Sequence, residues 1–179
     1  MNRRTTAVLL VAATLSLAGC GGDEEPAGSA DGGSSAQACE TRSATTDAPR
    51  DVSSDLTVAP EVPSTDAAPP CDLQISDVVP GTGPEAVEGS TAAVKYVGAF
   101  YGTGEVFDSS WSRGADETLP VPVGAGRVIQ GFDQAVTGMQ VGGRRMVVIP
   151  SDLGYGPAGQ GPIPGDATLV FVIDLVSVS

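Results

Sequence analysis

Tyr155-Gly156-Pro157-Ala158-Gly159-Gln160-Gly161-Pro162-Ile163-Pro164-Gly165 separates two runs of strong strand character, Arg144–Ile149 and residues 168–176. A loop of this length inside a compact domain is usually functional or disordered. It carries one aromatic with a polar tip, Tyr155, one bare aliphatic, Ile163, and no charge. Proline fixes φ and glycine opens unusual turns, so such a loop can hold a shape. An apolar, shaped loop over the end of a sheet suits a pocket for an uncharged ligand; by itself it fits a plain surface connection equally well. In the second run Leu169, Phe171, Ile173 and Leu175 alternate with Val170, Val172, Asp174 and Val176. One face should enter a core and the other should lie partly against solvent or a neighbouring element.

Working outward from this pair, Leu73, Ile75 and Val79 read as a short strand closed by Pro80-Gly81-Thr82-Gly83. Residues 91–98 form a second strand with Ala92, Val94 and Tyr96 on one face, and Lys95, the single lysine, on the other. Residues 105–108 follow a Tyr101-Gly102-Thr103-Gly104 turn. Residues 118–123, with Pro120 and Pro122, suit an edge strand. Residues 130–138 are the best helix candidate, because Phe132, Ala135 and Val136 recur at helical spacing. Arg144 and Arg145 read as residues of the solvent side or an edge of the sheet. Several strands, one short helix and two further strands predict an α+β fold: a twisted antiparallel β-sheet wrapped around one short α-helix.

Composition limits the chemistry. The net charge is −13 with only 9 Lys and Arg, which argues against nucleic acid as a partner. There is no histidine, so imidazole shuttles, histidine metal sites and histidine-based triads are excluded. Cys20, Cys39 and Cys71 all precede the strand-rich part, which leaves that part without a thiol. Hydroxyls, carboxylates, arginines, backbone dipoles and shape remain, with no metal or cofactor called for.

Residues 1–19 have the form of an export signal, with Arg3 and Arg4 ahead of an apolar run too short to span a bilayer comfortably. Leu17-Ala18-Gly19-Cys20 resembles a bacterial lipobox. The resemblance implies cleavage before Cys20, a lipid on its sulfur, and anchorage to the extracytoplasmic face of the cell membrane. Residues 20–71 are acidic and rich in Gly, Ser and Pro, and are expected as a disordered linker. Cys39 and Cys71 could pair in an oxidising compartment, or stay as free thiols. The folded domain is expected over 72–179.

The residues of that domain resemble one family. Val94-Lys95-Tyr96-Val97-Gly98, Val106-Phe107-Asp108-Ser109-Ser110, Val123-Gly124, Val128-Ile129-Gln130-Gly131-Phe132, Val141-Gly142, Ile149-Pro150, Tyr155-Gly156 and Ile163-Pro164 are similar, in order and spacing, to the FKBP-type peptidyl-prolyl cis-trans isomerases. So is the closing run Ala167-Thr168-Leu169-Val170-Phe171. The resemblance implies a monomer acting on proline-containing polypeptides, with macrolide inhibitors as candidate ligands. It implies a proline pocket with Phe132 as floor between Tyr96, Phe107 and Phe171, completed by Val128 and Ile163. It assigns the catalytic contacts to Tyr155, the Ile129 N–H, and Asp108, ionised at the rim and held by Tyr96 or Arg113. The sequence departs from the family's best-known pattern. Phe132 stands where tryptophan is common and Gln160 where histidine is common. The loop after Gln160 is one residue shorter, residues 100–105 gain one residue and residues 114–118 gain two. Two other readings stand beside the isomerase: a weakly active chaperone or peptide-docking module on the same fold, and a lipid-anchored β-domain for another apolar ligand. Trp111 is a candidate rim residue, or a cover for the 114–118 insertion.

Overall fold

The structure, a computed structural model, describes residues 51–179. The export signal, Cys20 and Cys39 lie outside the described residues. The elements run β1 (Gln74–Val79), β2 (Thr91–Phe100), β3 (Val106–Ser109), β4 (Leu119–Pro122), α1 (Gln130–Val136), β5 (Arg144–Ile149) and β6 (Leu169–Val178). They form one six-stranded antiparallel sheet in the order β1-β5-β6-β2-β3. β2 pairs with β6 along one side. Its other side is shared, with β4 against residues 91–94 and β3 against residues 97–99. The expected α+β architecture is therefore the one observed. Pro120 and Pro122 sit in the short strand β4, where a missing ladder donor costs little.

Strand alternation sorts the side chains. Ala92, Val94 and Tyr96 of β2, Val147 and Ile149 of β5, and Leu169, Phe171, Ile173 and Leu175 of β6 all enter one cluster with Phe132, Ala135 and Val136 of α1. A seven-residue helix is too short to persist alone, so this cluster holds it. Arg145 closes its far end. Its Nη1 donates to the carbonyls of Ala135 at 2.9 Å and Thr137 at 3.3 Å, while Nε pairs with Asp77 at 2.7 Å. A cation on the last helical carbonyls satisfies orphan acceptors and the helix dipole together.

The second face of β6 departs from the expectation. Val170 and Val172 are as buried as their core-facing neighbours, as are Val97 and Ala99 of β2. Arg144 and Asp174 also lie on this face, opposite each other in the β5–β6 register. Arg144 is fully buried; its Nε and Nη2 donate to Asp174 at 2.5 and 2.7 Å. Neither arginine of β5 is thus a plain surface residue. Arg144 needs acceptors for its remaining N–H groups, and it finds them in the segment expected to be linker. Nη1 donates to the Ser53 carbonyl at 2.6 Å and Nη2 to the Val58 carbonyl at 3.0 Å.

Residues 51–71 are accordingly a strap on the domain, not part of a free tether. Val52 is buried. The Thr65 N–H donates to the Gly102 carbonyl at 3.0 Å, and the Tyr101 hydroxyl to the Ala68 carbonyl at 3.4 Å. Cys71 is disulfide-bonded. Scarcity of apolar side chains suggested a segment unable to hold a structure. The strap is held instead largely through its backbone, whose carbonyls any sequence supplies.

Candidate active site

Four aromatic rings meet at the mouth of the sheet above α1. Phe171 of β6 is the hub. Its centroid lies 5.2 Å from Phe132, 5.6 Å from Phe107 and 6.2 Å from Tyr96, with the first two pairs edge-to-face. Tyr96 and Phe132 complete the circle at 5.9 Å, also edge-on. Such contacts add to the burial that already holds the rings. Periodicity explains the meeting: Tyr96 and Phe171 occupy inward positions of adjacent strands, and Phe132 lies on the buried face of α1.

The convergence requires a residue without a side chain. Gly98 sits in β2 opposite both Asp108 and Phe171. A Cβ there would lie 2.7 Å from a Phe171 ring carbon and 2.9 Å from Phe107. Gly98→Ala should therefore push the two rings apart, destabilising by about 1–3 kcal/mol and lowering turnover more than the modest change in volume suggests. Urea unfolding and a proline-peptide rate on the same preparation check this; unchanged values for both would show that the rings yield freely.

The open cavity that these rings help to line is about 570 Å³. Its lining includes Tyr96, Phe107, Asp108, Val128, Ile129, Phe132, Tyr155 and Phe171, so the structure brings together eight of the nine residues expected around the pocket. Ile163 is the exception. It is 7% exposed and packs in the core. Its N–H and carbonyl exchange hydrogen bonds with Gln160 at 2.9 Å each way, which turns the chain at Gly161-Pro162. Leu119, Arg127 and Gly154 are lining residues that sequence reasoning did not pick out, and Gln160, singled out there only as a departure from the family pattern, lines the cavity as well. The long loop is shaped as expected. Gly159 has φ +66, and a Cβ there would lie 2.3 Å from the Ile163 carbonyl oxygen.

Asp108 stands at the rim inside a closed triangle. The Tyr96 hydroxyl donates to its Oδ2 at 2.5 Å, Arg113 Nη1 donates to Oδ1 at 2.7 Å, and Arg113 Nη2 donates to the Tyr96 oxygen at 2.9 Å. Both partners named as alternatives in the sequence are thus engaged together. Partial burial pushes the Asp108 carboxyl upward, but the hydrogen bonds from Tyr96 and Arg113 and the guanidinium charge outweigh it and hold the pKa below the ordinary 3.8. Burial and the Asp108 carboxylate both raise the Tyr96 phenol. Ser110, fully buried, fixes the segment that carries Asp108: its Oγ accepts from the Tyr96 N–H at 2.9 Å and its N–H donates to the Tyr96 carbonyl at 3.0 Å. Ser110 gave no sequence signal beyond its place in the Asp108-Ser109-Ser110 run.

Two donors on lining residues are unused among the described residues. The Tyr155 hydroxyl has no protein partner among the described residues, and burial keeps its pKa above the usual 10.0, so it stays a donor at neutral pH. The Ile129 N–H likewise has no protein acceptor there, since residue 129 only begins the helix. The loop before it is held by Asp133, whose Oδ1 accepts from the Gly124 N–H at 2.8 Å and whose Oδ2 accepts from the Gly126 N–H at 3.0 Å. Asp133 is a positioning residue that helical spacing alone could not reveal, because its partners lie in the preceding loop. Trp111 is not among the lining residues; its ring lies beneath Lys95 Nζ at 4.2 Å.

The comparisons with known proteins converge on the same region. A family model described as FKBP-type peptidyl-prolyl cis-trans isomerase matches residues 83–176. The FK506-binding protein of Streptomyces anulatus is 51% identical over 121 residues, which span 66% of this chain and 96% of that protein. The probable FK506-binding protein of Corynebacterium glutamicum is 46% identical over 108 residues, spanning 60% of this chain and 88% of its own length. Among solved structures, AtFKBP13 superposes with a TM-score of 0.55 at 38% identity, covering 60% of this chain and 93% of that one. FkpA from Escherichia coli superposes with a TM-score of 0.54 at 32% identity, covering 66% and 52%.

Proposed function

This chain belongs to the FKBP-type peptidyl-prolyl cis-trans isomerases, and from that premise we propose that it isomerises proline bonds in exported polypeptides while tethered to the outer side of the cell membrane. The observation that carries the catalytic part is the aromatic circle with two unused donors at its mouth. An X–Pro bond rotates over about 18–20 kcal/mol because amide resonance must be broken. Its two planar forms differ by only about 0.5–1 kcal/mol, so the barrier is what needs lowering. A proline ring among Tyr96, Phe107, Phe132 and Phe171 leaves the amide in poorly solvated surroundings. Those surroundings disfavour the charge-separated planar amide relative to the twisted one. The Tyr155 hydroxyl and the Ile129 N–H hold flanking carbonyls while the bond turns, and Asp108 presents its ionised carboxylate beside the rotating amide. Stabilisation falls on the twisted state more than on either end state, as catalysis requires.

The extracytoplasmic part is supported by the lipobox-like Leu17-Ala18-Gly19-Cys20 and by the disulfide at Cys71, a bond that persists in oxidising compartments. Membrane fractionation of the full chain beside a Cys20→Ala variant tests it. The tether reading predicts that the parent sediments with membranes and the variant does not.

The catalytic assignment is tested by a tetrapeptide isomerisation assay on the parent, Tyr155→Phe and Asp108→Leu. We expect a roughly 10-fold or smaller loss for Tyr155→Phe, one hydrogen bond of about 0.5–1.5 kcal/mol, and a larger loss for Asp108→Leu. A parent without measurable rate would favour the docking-module reading. The pH profile supplies an independent check. Because the folded-state pKa of Asp108 is below the unfolded value, the stabilisation from its carboxylate is complete above 3.8 and is withdrawn as pH falls through the lower folded value. The rate per folded molecule should stay level from neutrality to about pH 4 and fall only below it. A half-loss near pH 6 would point to a group other than Asp108.

A further inference from the structure

We propose that Arg127 is a specificity-determining residue that favours substrates with aspartate or glutamate next to the proline. The proposal rests on reading the aromatic cavity as the proline site. Residues 51–179 contain five basic side chains, and four are engaged. Lys95 donates to the Ala115 carbonyl and covers the Trp111 ring; Arg113 holds Asp108; Arg144 holds Asp174; Arg145 holds Asp77. Arg127 is exposed, lines the cavity, and has no hydrogen-bonding or ionic partner among the described residues.

Its backbone is nonetheless well placed. The Asp133 carboxylate holds the Gly124 and Gly126 N–H groups, so the chain enters residues 127–129 from a fixed loop. Arg127 is therefore two residues from the Ile129 N–H assigned above to a substrate carbonyl, within reach of a side chain flanking the proline. The rest of the rim does not compete for a carboxylate or repel it strongly. Tyr155 and Gln160 are uncharged there, and the Asp108 charge is matched by Arg113. A guanidinium offers paired donors that fit a carboxylate side by side. The chain's net charge of −13 works in the opposite sense, opposing acidic ligands at a distance. A preference for acidic peptides would therefore require a cation close to the bound chain, and Arg127 is the one available at the lining.

The test uses the full chain and three peptide sets that differ only in the residue before or after a single proline: alanine, glutamate or lysine. Isomerisation is followed by exchange NMR, so that no coupling protease imposes its own preference. The readout is the ratio of kcat/KM for the glutamate and alanine peptides within each variant. We expect a ratio of about two- to five-fold in the parent, the size of an exposed ion pair. Arg127→Lys should keep part of it, and Arg127→Glu should invert it in favour of the lysine peptide. A parent ratio of one, or a ratio that Arg127→Glu leaves unchanged, overturns the proposal while the alanine peptide still reports the isomerase. Absence of rate on all three peptides would overturn the proline-site reading and this proposal with it.

Discussion

Replacing Asp174 with alanine should cost about 3–5 kcal/mol of unfolding free energy, enough to leave a domain of ordinary stability largely unfolded near 37 °C. Arg144 is fully buried at the start of β5, and its ion-pair partner among the described residues is Asp174. Without the carboxylate the guanidinium keeps, among the described residues, hydrogen bonds to the Ser53 and Val58 carbonyls, and a fully buried cation loses its paired counter-charge. Urea denaturation of the parent and Asp174→Ala measures the difference. A loss below about 1 kcal/mol would mean that the guanidinium swings out to solvent. The double replacement Arg144→Met with Asp174→Leu should recover a large part of the loss, because two apolar groups of similar size remove both charges. Recovery should remain incomplete, since the Ser53 and Val58 carbonyls then lose their donor.

The second large effect is expected from the chain ends chosen for expression. Residues 72–179 cover every element of the sheet and the whole family match, yet they omit the strap. Removing it strips the buried Arg144 of two backbone acceptors, at about 1–3 kcal/mol for each group left unpaired. It also removes the Thr65 contact at Gly102 and the Ala68 contact at Tyr101, beside the turn that leads into β3 and Phe107. The 72–179 chain should therefore unfold about 2–6 kcal/mol more easily than residues 51–179. Its midpoint should fall by roughly 10 °C or more, at about 4–8 °C per kcal/mol for a domain this size. Calorimetry of the two chains side by side decides the matter. Equal midpoints would show that the strap lies on the domain without supporting it.

These two effects show where sequence reading reached its limit. Tyr96, Phe107, Phe132 and Phe171 were legible because strand and helix periods place them on inward faces, and their spacing matched one family. Asp108, Tyr155 and Ile129 were legible through the same ordered motifs. Ile163 was carried to the lining by that match; it packs in the same buried cluster as Tyr96, Phe132 and Phe171 but is not among the residues lining the cavity. Arg144 was misread because two adjacent arginines in a strand suggest an edge. Its partner, Asp174, lies thirty residues further on, and nothing local announces a buried pair.

By itself the sequence determined the alternation of inward and outward residues, the single short helix, the aromatic content of the pocket and the absence of histidine and thiol chemistry from the domain. Those follow from residue type and period, which act over a few neighbours. Only the tertiary structure decided which polar groups become partners across the chain: Arg144 with Asp174 and the strap carbonyls, Asp133 with the loop before Ile129, Ser110 with Tyr96, and Arg127 with none among the described residues. A buried donor accepts whatever carbonyl or carboxylate the packing brings within about 3 Å. That choice is made by the fold and leaves no pattern along the chain.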